Sequence, residues 1–108
     1  LGYPDETRGW NREYLRKNLE KAREFQQKTG ARIYVGEFSC IRWAPGADRY
    51  VKDLIDLFEE YGWGWSYHAF REWQGWSAEH SDDPAVMDPV PTTGRKEVLL
   101  KAFEKNGK

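Results

Sequence analysis

The stretch Ile33-Tyr34-Val35-Gly36-Glu37-Phe38-Ser39 decides the fold and points to the chemistry. β-Branched and aromatic residues set close together, bounded upstream by Gly30, read as a short strand over Arg32 to Phe38. That strand delivers a carboxylate. An ionised side chain is costly to bury without a partner, so Glu37 belongs at the mouth of a site or at a salt-bridged or solvated strand end. Gly36 beside it lets the backbone bend or lets another group come close.

Upstream, Asn11 to Thr29 reads as an amphipathic helix. Leu15, Leu19, Ala22 and Phe25 recur at the spacing of one helix face, Asn11 can cap the start, and Gly30 supplies a left-handed stop. Arg12, Glu13, Arg16, Lys17, Glu20, Lys21 and Glu24 form its solvated face. Downstream, Ser39 to Gly46 is a loop carrying Arg42, Trp43 and the breaker pair Pro45-Gly46. Asp48 opens a second helix with Val51, Leu54, Ile55, Phe58 and Tyr61 inward, and Gly62 ends it. A second strand, Trp63 to Phe70, follows at once.

A long irregular loop runs from Arg71 to Thr93, marked by Asp82-Asp83-Pro84 and Asp88-Pro89-Val90-Pro91. The last helix spans about Gly94 to Lys105, with Val98, Leu99, Ala102 and Phe103 inward, and Asn106-Gly107-Lys108 forms a frayed tail. Helix, strand, helix, strand, helix implies an α/β fold with parallel strands joined by right-handed crossovers. Two parallel strands do not make a self-sufficient sheet, so more strands are expected from elsewhere.

Composition narrows the function classes. The chain has 108 residues, one small domain at most, with 17 Lys+Arg against 18 Asp+Glu and a net charge of −1. Without a basic excess there is no footprint for nucleic acid, and no apolar run approaches a membrane span. Leu1-Gly2-Tyr3-Pro4 is neither a signal peptide nor a natural translation start, which reads as a chain excised from something longer. Cys40 alone forms no internal disulfide. Two His and one Cys make no zinc spacing, and no glycine-rich phosphate loop occurs, so neither metal nor cofactor is expected.

Aromatic residues are the outlier, at 16% of the chain. Tyr61, Trp63, Trp65, Tyr67, Phe70, Trp73 and Trp76 crowd into one segment. Flat apolar rings with a polar edge suit sugars as well as cores and interfaces, and packing is the plainer role for Trp63 and Trp65. Glu37, Arg42 and Trp43 follow the first strand; His68, Arg71, Glu72, Trp73, Trp76 and Glu79 finish or follow the second. The turns before both strands are short and plain. Chemistry gathered at the carboxyl ends of strands is the asymmetry of a (β/α)8 barrel.

These residues resemble a family. Ile33 to Ser39, followed by Ile41-Arg42-Trp43-Ala44-Pro45-Gly46, is similar to the seventh strand and loop of glycoside hydrolase family 5, the cellulase-type (β/α)8 enzymes. Gly62-Trp63-Gly64-Trp65-Ser66-Tyr67-His68-Ala69-Phe70-Arg71-Glu72-Trp73 resembles the eighth strand and its loop. The three helices would then be the sixth, seventh and eighth, making residues 1–108 a single partial-barrel piece from the C-terminal end. The resemblance covers essentially the whole chain.

It implies that Glu37 is the nucleophile of a retaining β-glycosidase, an endo-β-1,4-glucanase, with Arg42, Trp43, His68, Glu72, Trp73 and Trp76 lining a β-glucan cleft. The acid/base glutamate of that family lies in an Asn-Glu pair after the fourth strand, and no such pair occurs in this sequence. The isolated chain is therefore expected to be catalytically incomplete, and its open strands to need either the preceding part of the barrel or self-association. The parent enzyme is expected to be secreted, although this chain carries no signal.

Where many family members place a Trp in the eighth strand, His68 stands instead. It serves either as a hydrogen-bond donor beside a Trp73 or Trp76 platform or as a structural histidine. Glu72 is expected to be a charge-paired loop residue, and Glu79 a solvated loop or substrate-rim residue. Two other readings stay open: a non-catalytic carbohydrate-binding piece, and a self-assembling partial barrel.

Overall fold

The computed structural model describes residues 2–106, so the readings that fall on Leu1 and on Gly107-Lys108 lie outside the described residues. Its elements run α1 (Arg12–Thr29), β1 (Tyr34–Phe38), α2 (Ala47–Tyr61), β2 (Gly64–Tyr67) and α3 (Gly94–Asn106), in the expected order. Asn11 caps α1 by accepting from the Tyr14 backbone N–H at 3.1 Å, and Gly30 closes it in the left-handed conformation. Gly62 ends α2 the same way, and the Trp63 N–H returns to the Phe58 carbonyl at 2.8 Å.

β1 and β2 pair in parallel as a two-stranded sheet, an α/β arrangement. α2 is the central helix. Its Leu54, Leu57 and Phe58 join Leu15 of α1 and Trp63 in one core, while its Val51 and Ile55 join Ala78, Leu99 and Ala102 in a second. Burying aliphatic and aromatic side chains of this size contributes about 1.5–3 kcal/mol each, which is what holds so short a sheet between its helices. Among the described residues no helix is long and apolar enough to cross a membrane.

Several boundaries differ from the sequence reading. β2 stops at Tyr67 rather than Phe70 because the chain turns to pair with its own loop. The carbonyls of Ala69 and Phe70 accept from the Ala78 and Glu79 N–H groups at 3.1 and 3.4 Å. Phe70 consequently packs against the same core as Trp65 and Tyr67. α2 begins at Ala47, one residue before Asp48, after a left-handed Gly46. A Cβ at Gly46 would lie 1.5 Å from the Tyr3 carbonyl oxygen, so only glycine fits there.

Phe25 is 55% exposed, against the expectation that it faces the core. At 3.6 residues per turn it falls about 80° around the helix from Leu15, off the stripe that meets α2. Gln26 holds that stripe, accepting from the Trp63 indole N–H at 2.8 Å. On α3, Phe103 remains 44% exposed although its ring stacks on Trp65 at 5.7 Å. Asn106 is not frayed: it ends α3, and its side-chain amide donates to Glu59 at 2.8 Å.

Candidate functional site at the carboxyl ends of the strands

Glu37 is presented by an irregularity in the sheet. Val35 pairs with Trp65 and Phe38 with Tyr67, so Gly36 and Glu37 together stand opposite Ser66 alone. A bulge of this kind re-aims side chains. Here it lets Val35 and Phe38, three positions apart, both pack into the cores, with the Phe38 ring edge-on to Phe58, Trp65 and Tyr67 at 5.2–5.8 Å. Glu37 is thereby left exposed, with no ion pair or side-chain hydrogen bond among the described residues. Tyr34 lies across the sheet with its ring over Gly64, where a Cβ would approach to 2.8 Å, and its hydroxyl bonded to Ser66.

His68 follows β2 directly. Its backbone N–H donates to the Phe38 carbonyl at 2.9 Å, fixing it beside the residue that follows Glu37. Its Nε2 lies 3.1 Å from a Glu72 carboxylate oxygen, and its ring lies 5.4 Å from Trp76. Trp76 in turn meets Trp73 edge-on at 4.7 Å. His68, Glu72, Trp73 and Trp76 are therefore one cluster. Trp73 is 43% exposed and rests on Gly75, where any side chain would collide with the indole. The Trp76 indole N–H is buried without a hydrogen-bond partner among the described residues, an unusual and costly state for that group.

Arg42 does not reach this surface. It is fully buried, and its guanidinium is consumed by the loop 74–86. Nε and Nη2 donate to the Gln74 side-chain oxygen at 3.0 and 2.6 Å. Nη1 donates to the carbonyls of Ser81 and Asp83 at 2.6 and 2.7 Å, and Nη2 to those of Pro84 and Val86 at 3.4 and 3.1 Å. A buried cation is tolerated only when so completely satisfied. The expectation that Arg42 contacts a substrate is corrected accordingly: it organises the loop from beneath. Its neighbour Trp43 remains 40% exposed, with the Arg42 guanidinium 5.6 Å from the ring centre.

Glu79 also differs from its reading. Rather than a solvated rim residue it is held by Lys96 at 2.8 Å and Arg71 at 2.9 Å, with 16% of its side chain exposed. The Lys96 ammonium, followed by Arg71, pulls its carboxyl below the usual glutamate range. Behind it lies a buried polar set: Ser77, His80 and Arg95. The His80 ring bonds Ser77 at 2.8 Å and the Met87 carbonyl at 3.1 Å, and Arg95 donates to the carbonyls of Ser77, at 2.5 Å, and His80. The sequence held one signal for this set, a histidine within an otherwise irregular loop and an arginine just after it. Their burial depends on a fold-back that periodicity does not encode.

No protein-family model matches the chain. Curated relatives do. Endoglucanase C of Acetivibrio thermocellus is 42% identical over 62 residues, covering 53% of this chain and 18% of that protein. Endoglucanase C307 of Clostridium sp. (strain F1) matches to the same extent. A solved crystal structure of a glycoside hydrolase superposes with a TM-score of 0.66 at 28% identity, over 90% of this chain and 30% of that one. The chain is similar to endoglucanases. It spans less than a fifth of the length of those curated relatives and under a third of the solved glycoside hydrolase.

Proposed function

We propose that this chain is a C-terminal part of a secreted, retaining β-glycanase of glycoside hydrolase family 5 acting on β-1,4-glucan, and that Glu37 is its nucleophile. The observation that carries the proposal is the bulge opposite Ser66, which leaves the exposed Glu37 carboxylate without a side-chain partner among the described residues, at the strand end to which the His68 N–H is bonded through Phe38. In a retaining mechanism such a carboxylate attacks the anomeric carbon and forms a glycosyl-enzyme ester. A second carboxyl, about 5–5.5 Å away, protonates the leaving oxygen and then activates water. Trp73, Trp76 and Trp43 offer sugar-stacking faces, and the His68–Glu72 pair offers hydrogen bonds to hydroxyl groups.

The second catalytic carboxyl has no good candidate here. Glu72 faces His68 and Glu79 is locked between Lys96 and Arg71. Two strands with open edges also fit a (β/α)8 barrel whose remaining strands lie on the preceding part of the polypeptide or are replaced by further copies of the chain. Hydrolysis by the isolated chain should fall below that of an intact enzyme by roughly 10²–10⁴ or more, the share that positioned acid/base catalysis supplies. Turnover of an activated aryl β-cellobioside, compared with an intact endoglucanase, tests this. Comparable rates contradict it.

A further inference from the structure

The geometry points to a head-to-tail interface between copies of this chain, in which the free flank of α1 docks on the free flank of α3 of a second copy. The inference goes beyond the chemistry proposed for Glu37 and does not depend on it. α1 and α3 both pack on α2 but do not touch each other, so each keeps one flank open. On α1, Arg12, Arg16 and Arg23 turn toward Asp56, Glu60 and Tyr61 of α2. At about 100° per residue, Tyr14, Lys21, Phe25 and Lys28 come round to the opposite side of the line through Leu15 and Ala22, and all four are exposed. On α3, Leu99 and Ala102 face the core, while Glu97, Leu100, Phe103 and Glu104, together with Lys101, line one depression on the surface of the helix.

The two flanks match in spacing and in charge. Lys21 and Lys28 are seven positions apart, about two helical turns, and so are Glu97 and Glu104. Each pair brackets an apolar side chain, Phe25 on α1 and Leu100 on α3. None of these four charges makes an ion pair or a side-chain hydrogen bond among the described residues. Tyr14, Phe25, Leu100 and Phe103 are all large apolar side chains left exposed. Phe103 is already held by its stack on Trp65 at 5.7 Å, so docking on it costs little side-chain freedom. Phe25 and Phe103 form the energetic centre of the contact, with Tyr14 and Leu100 excluding water around them.

The occupant is a second copy because the basic, aromatic flank and its acidic, apolar complement belong to the same chain. Opposite charges across the contact favour α1 on α3 and disfavour α1 on α1 or α3 on α3. The faces are unlike, so each docking leaves one of each kind free, and the contact closes into a ring or extends.

The test is sedimentation equilibrium of the native chain and of two charge-reversed variants, Lys21→Glu/Lys28→Glu and Glu97→Lys/Glu104→Lys. The native chain should associate in the micromolar range. Each variant alone should associate about tenfold or more weakly, because every docked pair then sets like charges together. An equimolar mixture of the two should recover the native affinity, since a reversed α1 meets a reversed α3. Far-UV circular dichroism checks that both variants are folded. If one does not fold, added salt takes its place: association of the native chain should weaken as the four charges are screened. A native chain that stays monomeric overturns the interface, and so does association that the reversals, or salt, leave unchanged. Either result leaves the reading of Glu37 standing, which turnover of the aryl β-cellobioside decides separately.

Discussion

The His68 backbone N–H donates to the Phe38 carbonyl at 2.9 Å, so the residue that closes β2 is tied to the one that follows Glu37. Through that bond the bulge in β1 and the aromatic cluster after β2 keep a fixed relation. Arg42, fully buried in the loop after β1, holds residues 74–86 in place.

Replacing Arg42 should therefore be among the most damaging single changes. Arg42→Met removes the donors shared by Gln74 and the carbonyls of Ser81, Asp83 and Val86 and should cost about 1–3 kcal/mol, read as the shift in urea midpoint. Arg42→Lys should recover little, because an ammonium lacks the planar fork that spans these acceptors. A loss under about 1 kcal/mol for Arg42→Met contradicts the linchpin role, being the size of an ordinary surface substitution.

Leu57 is fully buried on the central helix between α1 and Trp63. Leu57→Ala should destabilise by about 2–5 kcal/mol through lost transfer energy and an unfilled cavity. Leu100, 47% exposed on α3, provides the contrast. Leu100→Ala should stay within about 0.5 kcal/mol in the same thermal melts, as surface positions do.

Acid should weaken the Glu79 clamp in a definite direction. Lys96 and Arg71 lower its carboxyl in the folded chain, so the native state binds this proton less readily than the unfolded state. The stabilising contribution is then present above the ordinary glutamate value of 4.5 and is lost as pH falls through the lower folded value. Melting temperatures of the native chain and Glu79→Gln should differ at neutral pH and converge as the pH falls through the lowered folded value, with the gap shrinking in high salt. A gap that persists unchanged in acid contradicts the clamp.

The two strand edges left open by β1 and β2 predict association. Parallel edges present unsatisfied N–H and carbonyl groups, and Tyr34 on the same sheet is 64% exposed. Sedimentation at micromolar concentration should show dimers or larger species. A clean monomer contradicts this expectation.

The order of elements was legible because α1 and α2 carry apolar stripes with glycine stops, and because the Tyr34–Phe38 strand sits between them. Glu37 was legible as an oddity for the same reason: a charge among strand formers. The bulge was not. It depends on pairing with Ser66 from a strand 27 positions farther on than Phe38's own neighbour, Ser39. Arg42 was expected to line the substrate cleft because it follows the first strand, in the loop that carries the resemblance. Only the fold-back of residues 74–86 turns it into a buried hub, and no local pattern announces that fold-back. The same holds for Tyr3, whose hydroxyl reaches Asp53 at 2.6 Å across 50 positions and whose backbone covers Gly46.

The central claim is that Glu37 is the nucleophile of a glycanase completed by the rest of its barrel. The most direct measurement grafts residues 2–106 in place of the matching 30% of the solved glycoside hydrolase and follows release of an aryl leaving group from an activated β-cellobioside. A folded hybrid should hydrolyse it, and the Glu37→Gln hybrid should bind the substrate yet lose that activity. A Glu37→Gln hybrid as active as its parent, or a folded parent hybrid with no activity, contradicts the account.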